Sequence, residues 1–284
     1  MFTRQKILIR IIEKAGGQMT RLHLVKLAFL LSPNIPTKTR FYQFVPYLYG
    51  PFSFTLYHEL EQLTSLGLLS CDTTDDKTLR LINHQATQPL GLNQDLDHAI
   101  TRLITRYGKL SLSELIDDVY HRYPWFTLNS DQPTHRNANL PTVSQAVYTV
   151  GYEGWQIDGF LNHLLEKGIH RLIDTRNNPV SRSYGFHKST LTRLCQSIGI
   201  EYIHLPELGI PPSLRTDLRT YADYLILFAA YESQLAEPEI QKVTNLLIEK
   251  PSVLMCVEAD PKFCHRGRLA TKINQANGLA VVNL

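Results

Sequence analysis

The chain has 284 residues, 43% of them hydrophobic and 19% charged, a balance that argues against intrinsic disorder and leaves room for two domains. A net charge of +3 and an isoelectric point near 8.6 are too mild to demand a nucleic-acid partner. Locally, Arg171, Arg176 and Arg182, and again Arg266, Arg268 and Lys272, form basic clusters suited to phosphate. The four cysteines, Cys71, Cys195, Cys256 and Cys264, show neither zinc-ligand nor disulfide-framework spacing, so a reduced, cytoplasmic protein without a metal site is expected. No stretch approaches the roughly 18 unbroken apolar residues of a bilayer span. Glu13 and Lys14 interrupt the amphipathic start, so no signal peptide is expected either.

In chain order, 3–15 places Ile7, Leu8, Ile11 and Ile12 on one helical face, and Gly16 and Gly17 stop it. A second helix over 20–31 has Thr20 as its N-cap. Residues 41–49 form a β-prone aromatic run, 50–53 a turn, and Ser53 caps a helix that ends at Gly67. Segments 68–71 and 78–82 flank Asp75 and Asp76 as a two-stranded wing. This order predicts a mainly α, winged-helix-like module, with DNA as a possible partner through residues 1–85. Glu59 and Glu61 on its presumed recognition helix, with no lysine or arginine beside them, weigh against direct groove reading. Two further helices surround Gly108, with Ser111 or Ser113 as cap, and Pro124 and Trp125 end the aromatic stretch 120–126. The segments 41–69, with PYLYGPFS at 46–53, and 107–120 (YGKLSLSELIDDVY) resemble Panacea or SocA-like antitoxin domains. Residues 127–145, rich in Asn, Pro, Thr, Ser and Gln, read as a linker between domains 1–126 and 146–284.

Beyond the linker, strands and helices alternate. Strands are expected at 146–150, 170–174, 201–205, 252–258 and 279–282; helices at 160–167, 191–197, 217–249 broken at Pro238, and 265–276. Regular alternation implies right-handed crossovers and an α/β class, a three-layer domain around a mainly parallel sheet.

Ligands bind such sheets at the carboxyl ends of the strands, where Tyr152 and Glu153, Asp174 and Arg176, His204 and Glu207, and Glu258, Cys264, His265 and Arg266 are expected to gather. The Asp174–Arg176 pair also has a purely structural reading, a salt bridge tying the sheet edge. Cys264 precedes a helix start, where the dipole, Arg266 and Arg268 favour a thiolate nucleophile, or it simply packs while Arg266 binds. A cysteine-phosphatase loop is excluded because the residue six positions after Cys264 is Ala270. In a rhodanese loop the cysteine follows its strand at once, whereas 259–263 intervene here. His265 can serve as acid, base or phosphate contact, and Asp174 with Glu258 as a carboxylate pair for activating water. The polar loop 177–189 is positioned to cover this edge.

The motifs TVGY at 149–152, LIDTRNNPVSR at 172–182, YIHLPELG at 202–209, LMCVE at 254–258 and CHR at 264–266 together resemble the family called domain of unknown function 488, over about residues 147–284. The resemblance implies a three-layer α/β domain and no established reaction. Ile210, Pro211 and Pro212 depart from its usual pattern after the Leu-Gly pair.

Two functions are expected from these residues. In the first, an intracellular hydrolase or transferase acts on a phosphate-bearing substrate, a nucleotide or nucleic acid, with the N-terminal domain targeting or regulating it. Arg176, Arg182, Arg266 and Arg268 hold phosphate, Asp174 and Glu258 act as base or electrostatic stabiliser, Cys264 or His265 as nucleophile or acid, and Tyr152, Glu153, His204 and Glu207 complete the pocket. In the second, a DNA-binding regulator senses a small anion or nucleotide without chemistry. No cofactor is indicated, and the oligomeric state stays open.

Overall fold

The computed structural model describes residues 1–72, 77–82, 91–132, 136–215 and 218–284. It divides into two units, Met1–Asn139 and Leu140–Leu284.

In the first unit α1 (Thr3–Lys14) buries Ile7, Leu8, Ile11 and Ile12, and β1 (Gln18–Thr20) leads into α2 (Arg21–Leu31), whose first turn is capped by the Thr20 hydroxyl accepting from the His23 amide at 3.2 Å. The run 41–49 does not form one strand. Pro46 removes a ladder donor and Gly50, at φ +95°, reverses the chain, so β2 (Val45–Tyr47) and β3 (Gly50–Phe52) make a short antiparallel hairpin. Helix α3 (Phe54–Ser65) follows, capped by Ser53, then β4 (Leu69–Cys71), β5 (Thr78–Leu81), α4 (Gln94–Tyr107) and α5 (Leu112–Arg122). Ser111, not Ser113, caps α5, in a reciprocal box with Glu114. The strands order as β1–β5–β4, antiparallel throughout, and the helices share one apolar core. Asp75 and Asp76 lie outside the described residues.

Glu59 points inward rather than to a surface. It is 3% exposed, accepts from the Tyr42 hydroxyl at 2.6 Å and pairs with Arg4, which leaves only Glu61 of the two on the exposed side of α3.

The second unit contains β6 (Val147–Gly151), α6 (Ile157–Glu166), β7 (Arg171–Asp174), α7 (Lys188–Ser197), β8 (Glu201–His204), α8 (Tyr221–Gln234), α9 (Glu237–Glu249), β9 (Ser252–Cys256), α10 (His265–Asn277) and β10 (Val281–Asn283). Pro238 does not break a helix; it sits in the first turn of α9, where its missing N–H has no partner to lose. All five strands are parallel and run in the order β10–β6–β9–β7–β8. Each of the central three is buried along its whole length, as a strand between two helical layers is. Val147, Ile173 and Leu254 pack with Val243 of α9 and Leu269 and Ile273 of α10, which places α9 and α10 on one face. On the other, Phe160 of α6 meets Phe186, which stacks on Tyr152 with ring centroids 4.3 Å apart.

Candidate functional site

Strand parity divides the expected site residues between these two faces. Ile173 faces α9 and α10, so Asp174, one position on, faces the α6 and α7 layer together with Tyr202 of β8, the partner of Leu172, whose side chain lies on the same face. The Asp174 carboxylate is fully buried and surrounded by donors. Arg176 Nε reaches Oδ1 at 2.8 Å, Arg176 Nη2 reaches Oδ2 at 2.6 Å, and the Tyr202 hydroxyl donates to Oδ2 at 2.7 Å. The remaining guanidinium nitrogen donates to the Phe186 carbonyl at 2.9 Å, and the group lies over the Tyr152 ring. Burial opposes the Arg176 charge, but Asp174 outweighs it and holds that charge firmly. This bidentate pair closes the polar loop 177–189 onto the sheet. It is the salt-bridge reading of Asp174 and Arg176, with neither group on the cleft described next.

On the opposite face, β9 ends at Cys256 and the chain continues through Val257 to Glu258. A short 3-10 turn, Pro261–Phe263, follows, and Cys264 then stands as N-cap of α10, with φ −130° and ψ 135°. Three features fix this turn, two against the end of β6 and one against α10. Gly151 leaves room that a Cβ would fill, since one built there falls 1.8 Å from the Glu258 carbonyl oxygen. The Glu153 carboxylate accepts from the Ala259 amide at 3.0 Å. Arg266, 1% exposed, donates to the carbonyls of Glu258 and Ala259. Arg266 is thus a clamp on the backbone, not a free phosphate ligand.

With the turn fixed, Glu258 and His265 line a cavity of about 410 Å³, together with Arg215 from the segment before α8 and the aromatic wall of Tyr224, Phe228 and Phe263. Arg215 donates to Glu258 Oε1 at 3.2 Å and contacts His265 Nδ1 at 3.0 Å. Because a guanidinium only donates, His265 Nδ1 must accept, which leaves the proton on Nε2. Nε2 accordingly donates to the Thr175 carbonyl at 3.1 Å, with the Thr175 hydroxyl at 3.3 Å. The Cys256 thiol lies 3.6 Å from Glu258 Oε2 and 3.7 Å from His265 Nδ1.

Burial pushes the Glu258 carboxyl up, but the Cys264 thiol, backbone donors, Arg215 and His265 together outweigh it and hold it below its ordinary value. Glu258 is therefore a carboxylate at neutral pH, fit to accept a proton or stabilise a cation. Burial and the adjacent Cys256 thiol push Cys264 well above its ordinary range, against the pull of His265. Cys264 is therefore held as a thiol rather than a ready nucleophile.

The other expected residues lie off the cavity. His204 bridges Lys188 and the Arg176 carbonyl, at 2.9 and 2.8 Å. Glu207 pairs with Lys242 at 2.8 Å. Arg268 lies over the Phe228 ring and 3.7 Å from Glu232, and Arg182 is exposed in loop 177–189. Two features escaped the sequence reading. Arg215 belongs to no motif; the only signal was its place just after the departure at Ile210, Pro211 and Pro212. The approach of Cys256 to Cys264 was missed because ligand pairs were sought at short spacings, whereas here a strand end and a helix start bring the two together.

Fold and site define a three-layer parallel α/β domain with a half-buried ionic cleft at the carboxyl edge of its sheet. Residues 156–273, in the C-terminal half of the chain, match the family described as Domain of unknown function DUF488. Asp174, Arg215, Glu258, Cys264 and His265 fall within the match, while β6 precedes it. No curated protein and no solved structure matches the chain.

Proposed function

We propose that the C-terminal unit is an enzyme, a hydrolase or transferase, that acts on a phosphate-bearing substrate of the nucleotide class in the cleft beside β9 and α10. The observation that carries this reading is the Arg215–Glu258 pair, 3.2 Å apart, in an aromatic-walled cavity of about 410 Å³ at the strand ends. A volume of that size suits a small ligand. Arg215 supplies planar donors for phosphate, Tyr224, Phe228 and Phe263 supply faces for a base, and Glu258 is the ionised group placed to take a proton from water or a hydroxyl. This moves the phosphate-binding role from Arg176 and Arg266, which are committed to Asp174 and to backbone carbonyls, onto Arg215.

The N-terminal unit is read as a winged-helix-like module that targets or regulates this activity. Its support is the order α1, β1, α2, the β2–β3 hairpin, α3, β4, β5 and the β1–β5–β4 sheet. Among the described residues no helix is long and apolar enough to cross a membrane, and four free cysteines fit a reducing, intracellular setting.

The test is to incubate the full chain with nucleoside mono-, di- and triphosphates and short oligonucleotides, and to follow products by mass spectrometry. Turnover that disappears in Glu258→Gln while binding persists supports the enzyme. Binding without turnover in the unaltered protein replaces it with the non-catalytic sensor.

A further inference from the structure

One sulfur from the end of β9, one sulfur from the cap of α10 and one imidazole nitrogen from its first residue lie together. Their ligand atoms are all within 4.8 Å of one another, and Cys256, Cys264 and His265 are 0%, 1% and 0% exposed. We propose that Cys256, Cys264 and His265 form a binding site for a thiophilic divalent metal ion, zinc in the first instance, whose fourth coordination position opens on the cleft beside Glu258.

Three physical features carry the assignment beyond proximity. First, the spacing suits a tetrahedral ion: bonds of about 2.3 Å to sulfur and about 2.0 Å to nitrogen set ligand atoms roughly 3.5 to 3.8 Å apart. The Cys256 Sγ to His265 Nδ1 distance is 3.7 Å. Second, His265 is already in the tautomer a metal requires. Its Nε2–H is spent on the Thr175 carbonyl at 3.1 Å, so Nδ1, which accepts from Arg215 and lies 3.7 Å from Cys256 Sγ, carries the lone pair that a metal would take. A backbone carbonyl on the far ring nitrogen is the outer partner that metal-bound histidines commonly use, fixing ring orientation and raising basicity. Third, the donor set is soft, two sulfurs and one imidazole, which selects zinc over magnesium or calcium. Two thiolates balance the ion's charge, and the amino end of α10 adds favourable potential for them. Uptake of one ion displaces two thiol protons. It also takes from Arg215 its contact with Nδ1, leaving that guanidinium to Glu258.

Three protein ligands with an open fourth position is the pattern of catalytic rather than structural zinc. Glu258 Oε2, 3.6 Å from Cys256 Sγ, stands beside that position. Metal binding does not depend on the substrate class proposed above, and its test uses the metal alone.

The full chain, reduced and stripped of metal, is titrated with cobalt(II) as a spectroscopic stand-in and then with zinc. The expected result is one ion per chain, a thiolate-to-cobalt charge-transfer band, d–d bands of tetrahedral intensity, and two protons released per ion. Cys256→Ala and Cys264→Ala each weaken binding by more than the roughly 10- to 100-fold that loss of an outer partner produces. Cys195→Ala and Cys71→Ala leave it unchanged. A second readout uses the unaltered protein and does not depend on how the buried cysteine variants fold: both thiols are already buried, so zinc should slow their alkylation through transient opening, followed by peptide mapping, and leave the rate at Cys71 unchanged. Binding without a thiolate band, binding that survives loss of both cysteines, or a reduced protein that closes a Cys256–Cys264 disulfide on mild oxidation yet takes up no metal overturns the proposal.

Discussion

His265 and Thr175 meet over the carboxyl end of the sheet, with the imidazole Nε2 donating to the Thr175 carbonyl at 3.1 Å. The contact ties the first residue of α10 to the turn after β7, and it lies between the two sets of polar residues. Asp174 and Arg176 on one side of Thr175 are sealed into the α6 and α7 layer, while Glu258 and Arg215 on the other border the cleft. One side is a sealed ion pair and the other borders an open cleft, and mutagenesis separates their roles.

Arg176→Ala should destabilise the C-terminal unit by about 3–5 kcal/mol, because it leaves the Asp174 carboxylate buried without a counter-charge. Asp174→Asn combined with Arg176→Gln should recover part of that loss, since no charge is left stranded. Urea denaturation of the single and double variants measures both. Unchanged stability in Arg176→Ala would show that the pair does not secure the sheet edge.

Gly151→Ala places a methyl group against the Glu258 carbonyl, where the backbone has no space for it. Overpacking of this kind costs about 1–3 kcal/mol. The turn should shift to relieve it, carrying Glu258 away from Arg215, so ligand affinity in the cleft should fall more than stability does. Thermal unfolding and ligand titration on the same preparation compare the two losses.

Lys26 is buried and its amine, 2.9 Å from the Pro51 carbonyl, has a pKa pushed down to about 7 by desolvation. In the unfolded chain it titrates near 10.5. Between those values the unfolded state binds more protons than the folded one, so this group makes stability rise with pH, by about 1.4 kcal/mol per unit at most. Below the folded value the full penalty remains. Lys26→Met should therefore stabilise the N-terminal unit near neutral pH. The gain should shrink toward about pH 10, where the lysine is neutral in both states and the variant has lost the donor to Pro51. Melting curves of both proteins across that range check the sign.

Much of the C-terminal fold was legible because its strands are short apolar runs between glycine-ended helices: Val147 to Val150, Leu172 with Ile173, and Val253 to Met255 announce themselves. Gly168 and Gly199, both at positive φ, mark helix ends as their positions suggest. Which face a strand-end residue takes was not legible. Parity flips with each position, so one residue separates Asp174, sealed under α7, from Thr175, in contact with His265. Nor does the chain order tell that β9 inserts between β6 and β7, which is what brings Gly151 against Glu258. In the N-terminal unit periodicity located the helices, but β1 is only three residues long and β2 contains a proline, too little signal for a strand. The inward turn of Glu59 depends on Arg4 and Tyr42, partners far away in sequence.

The Arg215–Glu258 cleft as a phosphate-binding site is tested most directly by calorimetric titration of the full chain with a nucleoside monophosphate and with its parent nucleoside. Binding of the monophosphate should be at least about tenfold tighter, and Arg215→Ala should remove that advantage, as expected for loss of a charge-assisted hydrogen bond of about 1.5–3 kcal/mol. Equal affinity for the two ligands, or an advantage that persists in Arg215→Ala, would contradict it.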